Sequence, residues 1–197
     1  MTAFEKLIAG SDVVNIAKQL IGFEIFTMID GKFSSGIITE TEAYAGETDR
    51  ASHAFGGKRT PRTETMYKAS GTAYIYLCYG MHHLFNIVTG PEETPHAVLL
   101  RGILPLSGED VMRSRMKYPS GKLKLNGPGK ATKALGINTS LNGFTINGEF
   151  IGIKLPEVEL RPYEIITGRR IGVDYAGLDA MLPYRFYIEK PELLIAS

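Results

Sequence analysis

Apolar positions along the chain change period several times, and each change marks an element. Over residues 12–20 (DVVNIAKQL) apolar side chains fall at 13, 14, 17 and 20, the spacing of an amphipathic helix, with Gly22 as its stop. FEIFTMI, a turn at Asp30-Gly31-Lys32 and FSSGIITETEAY predict a β-hairpin, because Asp-Gly readily takes the left-handed backbone of a tight turn. TAYIYLCY, HLFNIVT and HAVLLRGIL are aromatic or β-branched runs separated by turn residues, hence strands. Shorter strand-like segments lie near 150–155, 163–168 and 185–189. GEDVMRSRM predicts a short helix whose acids and bases follow the helix dipole. NGPGKATKALG predicts another, with Pro128 in its first turn and Gly136 at its end. Residues 45–70 are polar, Gly-containing and irregular, a loop long enough to imply function or movement. There is no internal repeat or linker-like tract, so residues 1–197 are expected to form one α+β domain. Its sheet is expected to be mainly antiparallel, with flanking helices.

Composition adds limits. Lys and Arg number 22 against 21 Asp and Glu, a formal charge of +1 that argues against a highly basic DNA-coating protein or an acidic tail. With 44% hydrophobic and 22% charged residues the chain can bury a core. A single cysteine, Cys78, excludes an internal disulfide framework and a Cys-clustered zinc site. No 18-residue apolar run and no basic-apolar-small leader occur, so the expectation is a soluble cytoplasmic monomer without a membrane partner.

By segment the charge is far from even. Residues 1–57 hold four basic and eight acidic residues. Lys58, Arg59 and Arg62 follow within KRTPR. Residues 111–148 then carry seven basic residues, Lys122, Lys124 and Lys130 among them, and no acid. Such a stretch fits either the footprint of a polyanion or a solvated helix–loop–helix face.

Strand alternation brings chemistry together. In ITETEAY, Glu40, Glu42 and Tyr44 share one face, with Thr39, Thr41 and Ala43 opposite. One reading is a solvent-exposed sheet edge. The other is a general base beside a stacking platform, with burial and the charge of Glu40 raising the pKa of Glu42. Tyr74 and Tyr76 form a period-two pair typical of sheet packing, while Tyr79 precedes Gly80 and can project from a tight turn, as an aromatic wedge would. His53, His82, His83 and His96 lack the spacing of a zinc site, so no metal is expected. His53 stands out by lying in SHAFGGKRTPR beside the first basic cluster. Gly127-Pro128-Gly129-Lys130 is an incomplete phosphate-loop pattern, a weak sign of an anion site at a helix start.

Together ETEAY (40–44), SHAFGGKRTPR (52–62), GTAYIYLCYGMHHLFNIVT (71–89), AVLLRGILPL (97–106), NGPGK (126–130) and RRIGVDYAGLDAMLPYRFYI (169–188) resemble the alkyladenine, or 3-methyladenine, DNA glycosylases. The match covers roughly residues 10–190 and is loose over 107–125. The resemblance implies one mixed α/β domain that hydrolyses the N-glycosidic bond of alkylated or deaminated purines in double-stranded DNA, without cofactor or metal. It gives Glu42 the role of base for the attacking water and sets Arg101 beside that water. Tyr44, His53 and Tyr76 enclose the extruded base, Asn86 screens out guanine, and Tyr79 fills the gap in the duplex. The basic residues Lys58, Arg59, Arg62, Lys122, Lys124 and Lys130 supply backbone contacts. With no lysine singled out as nucleophile, the expected enzyme is monofunctional. The competing readings are a non-catalytic damaged-DNA sensor, a free-nucleoside hydrolase and a β-sheet RNA binder.

Overall fold

A computed structural model describes residues 1–195. Its spine is the expected hairpin of β1 (Glu24–Ile29) and β2 (Lys32–Tyr44). Asp30 (φ 54°) and Gly31 (φ 66°) both take the left-handed conformation that lets two residues reverse a strand pair. The other strands are β3 (Ala73–Cys78), β4 (His82–Thr89), β5 (His96–Ser107), β6 (Leu125–Asn126), β7 (Ile151–Lys154), β8 (Ile166–Gly168) and β9 (Arg185–Tyr187). They form an antiparallel sheet in the order β3-β4-β5-β2-β1-β7, with β6 on β5 and a β8–β9 ribbon on β2.

The segment that bears Glu40 and Glu42 is interior. It pairs with β5 on one side and with Phe186 and its neighbours in β9 on the other. Ile37, Ile38 and Ala43 are fully buried, which removes the edge-strand reading. The register of β2 against β5 shifts between Ile38 and Glu40 and again before Thr41. Irregularities of this kind re-aim side chains, and this one lies beside the paired carboxylates.

Helices α1 (Ala3–Ile8), α2 (Val13–Gln19), α3 (Glu109–Met116) and α4 (Pro128–Leu135) cover the sheet. Asp12 caps α2 by accepting from the Asn15 N–H, and Val13, Ile16 and Ala17 form its buried face. On the sheet side the Thr41 hydroxyl donates to the Ala17 carbonyl at 2.7 Å, fixing β2 beneath the helix. The short α1, not predicted, is held by a reciprocal Thr2–Glu5 capping box and by burial of Phe4 and Ile8. α4 begins at Pro128 and ends at Gly136 (φ 77°), as expected. The Thr27 hydroxyl donates to the Leu135 carbonyl at 2.7 Å and ties that helix to β1. No helix among the described residues is long and apolar enough to cross a membrane.

The acid-free segment divides on inspection. Arg115 donates to the Ser34 hydroxyl at 2.9 Å and to the carbonyls of Ala134 and Ile29, so it fastens α3 to α4 and the first hairpin. Arg113 is held by the Glu109 carboxylate and the Gly121 carbonyl. These two arginines serve the architecture, while Lys122, Lys124, Lys130 and Lys133 stand exposed.

Candidate active site

Where β2, β4 and β5 meet the long loop, a cavity of about 600 Å³ opens. Tyr44, His53, Tyr76, Asn86, Arg101 and Tyr79 all line it, joined by Arg62, Lys130, Ile171 and Tyr175. Residues from six separate sequence motifs therefore face one space.

Directly behind the cavity wall lies Glu42, wholly buried and in contact with the lining residues Tyr44, Arg101 and Ile171. The Ile171 N–H donates to Oε1 at 2.8 Å, and the Tyr44 hydroxyl donates to Oε2 at 2.8 Å. The Tyr44 bond is direct evidence that the two side chains share a strand face. Arg101 Nε stands 3.3 Å from Glu42 Oε1 and donates to Glu40 Oε1 at 2.9 Å. Arg185 Nε donates to that same Glu40 oxygen at 2.6 Å. Burial raises the pKa of Glu42 against the lowering pull of Arg101, Ile171 and Tyr44, and Glu40 adds a smaller upward push. Both expected causes are present, with burial dominant. Burial and the neighbouring Glu42 charge hold the Tyr44 phenol well above its ordinary pKa, so it stays a proton donor.

The opposite wall is aromatic. Tyr74 and Tyr76 run along β3 with ring centroids 5.5 Å apart, and His53 meets Tyr76 edge-on at 4.7 Å. His53 Nε2 lies 3.1 Å from an Arg62 amino group, and Nδ1 lies 2.8 Å from the Tyr74 hydroxyl. Arginine only donates, so Nε2 accepts and the proton is assigned to Nδ1. Burial, then Arg62 and Lys58, push the imidazole pKa down to about 4, which keeps the ring neutral near pH 7. Asn86 is 3% exposed, and its amide donates to the Tyr74 carbonyl at 3.1 Å, fixing its direction on β4.

One part of the site had no sequence signal. Arg170 and Asp49, 121 residues apart, form a buried two-pronged ion pair with bonds of 2.5 and 2.8 Å. Asp49 also accepts from the Ala45 and Ala51 N–H groups, and Arg170 donates to the carbonyls of Ala43 and Asp179. The Arg170 guanidinium lies 4.9 Å from the Tyr44 ring. This clamp joins the start of the 45–70 loop to the segment that delivers the Ile171 N–H to Glu42. Tyr175 adds a second tie by donating to the Ala51 carbonyl at 3.0 Å. Neither the clamp nor the backbone donor follows a short motif; only the RRIGVDY run in the resemblance marked the region.

At the mouth, Tyr79 is 88% exposed at the tip of the β3–β4 hairpin. Its φ of 51° and the 69° of Gly80 form the reversed turn closed by Met81 N–H to the Cys78 carbonyl. Lys58, Arg62, Lys122, Lys124 and Lys130 are exposed, with Arg62 and Lys130 on the cavity rim. Arg59 differs: it pairs with Glu64 in its own loop and with Glu93 in the β4–β5 connection and stacks 4.5 Å over Tyr67, so its charge is already answered. Among the described residues no three His, Cys, Asp or Glu side chains gather as a metal site requires.

A buried carboxylate thus lies behind an aromatic cleft with a cationic rim. The profile of the methylpurine-DNA glycosylase family matches residues 8–192, and the chain belongs to that family, DNA repair hydrolases of the base-excision type. It is 41% identical over 186 residues to a protein of Chlamydia pneumoniae, covering 93% of each chain. The identity to a protein of Chlamydia felis is 43% over 186 residues, or 93% of this chain and 94% of that one. A Bacillus thuringiensis protein is 43% identical over 187 residues, covering 90% of this chain and 91% of its own. All three are provisionally named 3-methyladenine DNA glycosylase.

Proposed function

We propose that this chain is a monofunctional glycosylase that extrudes alkylated or deaminated purines from double-stranded DNA and releases them with a Glu42-activated water. The observation that carries the reading is a fully buried Glu42, fixed by hydrogen bonds to two residues that line the aromatic cavity, Ile171 and Tyr44. Each of its oxygens retains acceptor capacity for a water.

A base inside a duplex is out of reach, and extruding it costs a few kcal/mol. Tyr79 enters the vacated stack and slows return. The purine stacks among Tyr44, His53 and Tyr76, where each base–aromatic contact returns about 1–3 kcal/mol. As the glycosidic bond breaks, the sugar gains positive character, which the Glu42 carboxylate stabilises while it orients the water. Arg101 helps to place that water and offsets the charge of Glu40. The Asn86 amide, held by the Tyr74 carbonyl, obstructs the exocyclic amine of guanine, which adenine and hypoxanthine lack. Lys58, Lys122, Lys124 and Lys130 meet phosphates, with Arg59 contributing only where DNA draws it from Glu64 and Glu93.

The test is single-turnover excision on duplexes each holding one of 3-methyladenine, 7-methylguanine, hypoxanthine or etheno-adenine, followed by alkali. Base release with strand scission only after alkali is expected. Binding without release from any duplex would make the protein a damage sensor instead.

A further inference from the structure

We infer that Arg62 is a specificity-determining residue that tilts the cavity towards neutral purine bases and against cationic ones. The inference rests on the glycosylase reading and concerns the substrate class of the same cavity.

Its guanidinium carbon lies 4.7 Å from the centroid of the Tyr76 ring, and an amino nitrogen lies 3.1 Å from His53 Nε2. Arg62 thus already engages two of the three aromatic groups available for stacking. Ring faces are electron-rich and attract cations, so an incoming purine cation would compete for a contact that the protein has filled itself. The charge is also unanswered. Among the described residues Arg62 forms no ion pair, whereas its neighbour Arg59 is bound by two carboxylates. Lys58 acts in the same sense, since its charge also reaches the imidazole.

A base methylated at N3 or N7 carries positive charge and meets this guanidinium at close range. A neutral base such as hypoxanthine meets it differently. The planar guanidinium stacks on the neutral ring or donates to its nitrogen and carbonyl acceptors. Arg62 therefore favours the neutral ligand on the wall where the cationic one is opposed. Its exposure at the cavity mouth moderates the repulsion through solvent, so the effect is a bias rather than exclusion.

Single-turnover rate constants for hypoxanthine and for 7-methylguanine in matched duplexes test this, with the full-length wild type, Arg62→Gln and Arg62→Lys at saturating protein. Arg62→Gln removes the charge but keeps a planar polar group, and should move the ratio of the two rates about tenfold towards the cationic base. Arg62→Lys keeps the charge and should leave the ratio within about threefold of wild type. Loss of folded protein does not alter the ratio of rate constants measured at saturation. An unchanged ratio in Arg62→Gln, including an equal fall in both rates as for a simple phosphate contact, would overturn the inference while leaving the glycosylase reading intact. Failure of the wild type to release either base would overturn both.

Discussion

Behind the cavity wall nearly every charge has a fixed protein partner, whereas at the cavity mouth most charges and the most exposed aromatic ring face solvent. Glu42 is held by Ile171 and Tyr44, Glu40 by two arginines, and Asp49 by Arg170. Tyr79, Lys122, Lys124 and Lys130 are exposed. The contrast separates two requirements. Bond cleavage needs groups that do not reorganise as charge develops, so they are fixed during folding. Capture of a long polyanion needs side chains free to follow phosphates, and their positive charge is answered only on binding.

Substitutions in the two regions should therefore fail in different ways. The largest effect is expected at Asp49→Ala, which strands Arg170, both side chains being at most 1% exposed. A loss of about 3–5 kcal/mol in chemical denaturation is expected for breaking such a pair. A loss below about 1 kcal/mol would mean that the inner framework is not built as described. Tyr79→Ser, by contrast, should leave stability within about 0.5 kcal/mol. It should weaken capture of an extruded base by about tenfold or more, read from the fluorescence of a reporter base beside the lesion. Unchanged capture would remove Tyr79 from the duplex.

Smaller effects sharpen the contrast further. Replacing Lys122, Lys124 and Lys130 with Gln should lower the slope of log affinity against log salt by up to about 2–3, with little change in stability. An unaltered slope would make them an ordinary solvated face. Glu40→Gln should move the acid limb of the pH–rate profile down by a fraction of a unit to about one unit. The sign follows from Glu42, which as the proposed base acts in its ionised form and whose pKa burial and Glu40 raise. Removing the Glu40 charge removes that push, and Arg101, released from its bond to Glu40, is free to turn to Glu42. A limb that stays in place or rises would contradict the arrangement.

Local features of the fold were legible in the sequence because their causes are local. Asp30-Gly31 is a hairpin turn for conformational reasons, Pro128 and Gly136 bound α4, and period two puts Glu42 and Tyr44 on one face. The sequence left open whether that face lay at an edge, since β9 joins β2 from more than 140 residues away, as the Arg185–Glu40 bond illustrates. The Asp49–Arg170 clamp was hidden for the same reason, and the Ile171 donor because a backbone N–H has no side-chain signature. Charge counting also overstated the basic face. It could not distinguish Arg115, which bonds α3 to α4 and the first hairpin, from Lys122, which is free in solvent.

Glu42→Gln tests the contrast most sharply because it alters a buried group behind the cavity and leaves the mouth untouched. Removing a carboxylate whose pKa is raised on folding should also stabilise the protein above the ordinary carboxylate range, where the ionised form is disfavoured in the folded state. The decisive measurement is single-turnover release from a duplex carrying one hypoxanthine, run beside a binding titration on the same DNA. Wild-type protein should release the base and leave an alkali-labile site. Glu42→Gln should bind within about threefold of wild type but release the base about 10²–10⁴-fold more slowly. Release by Glu42→Gln at a near-normal rate would contradict the account.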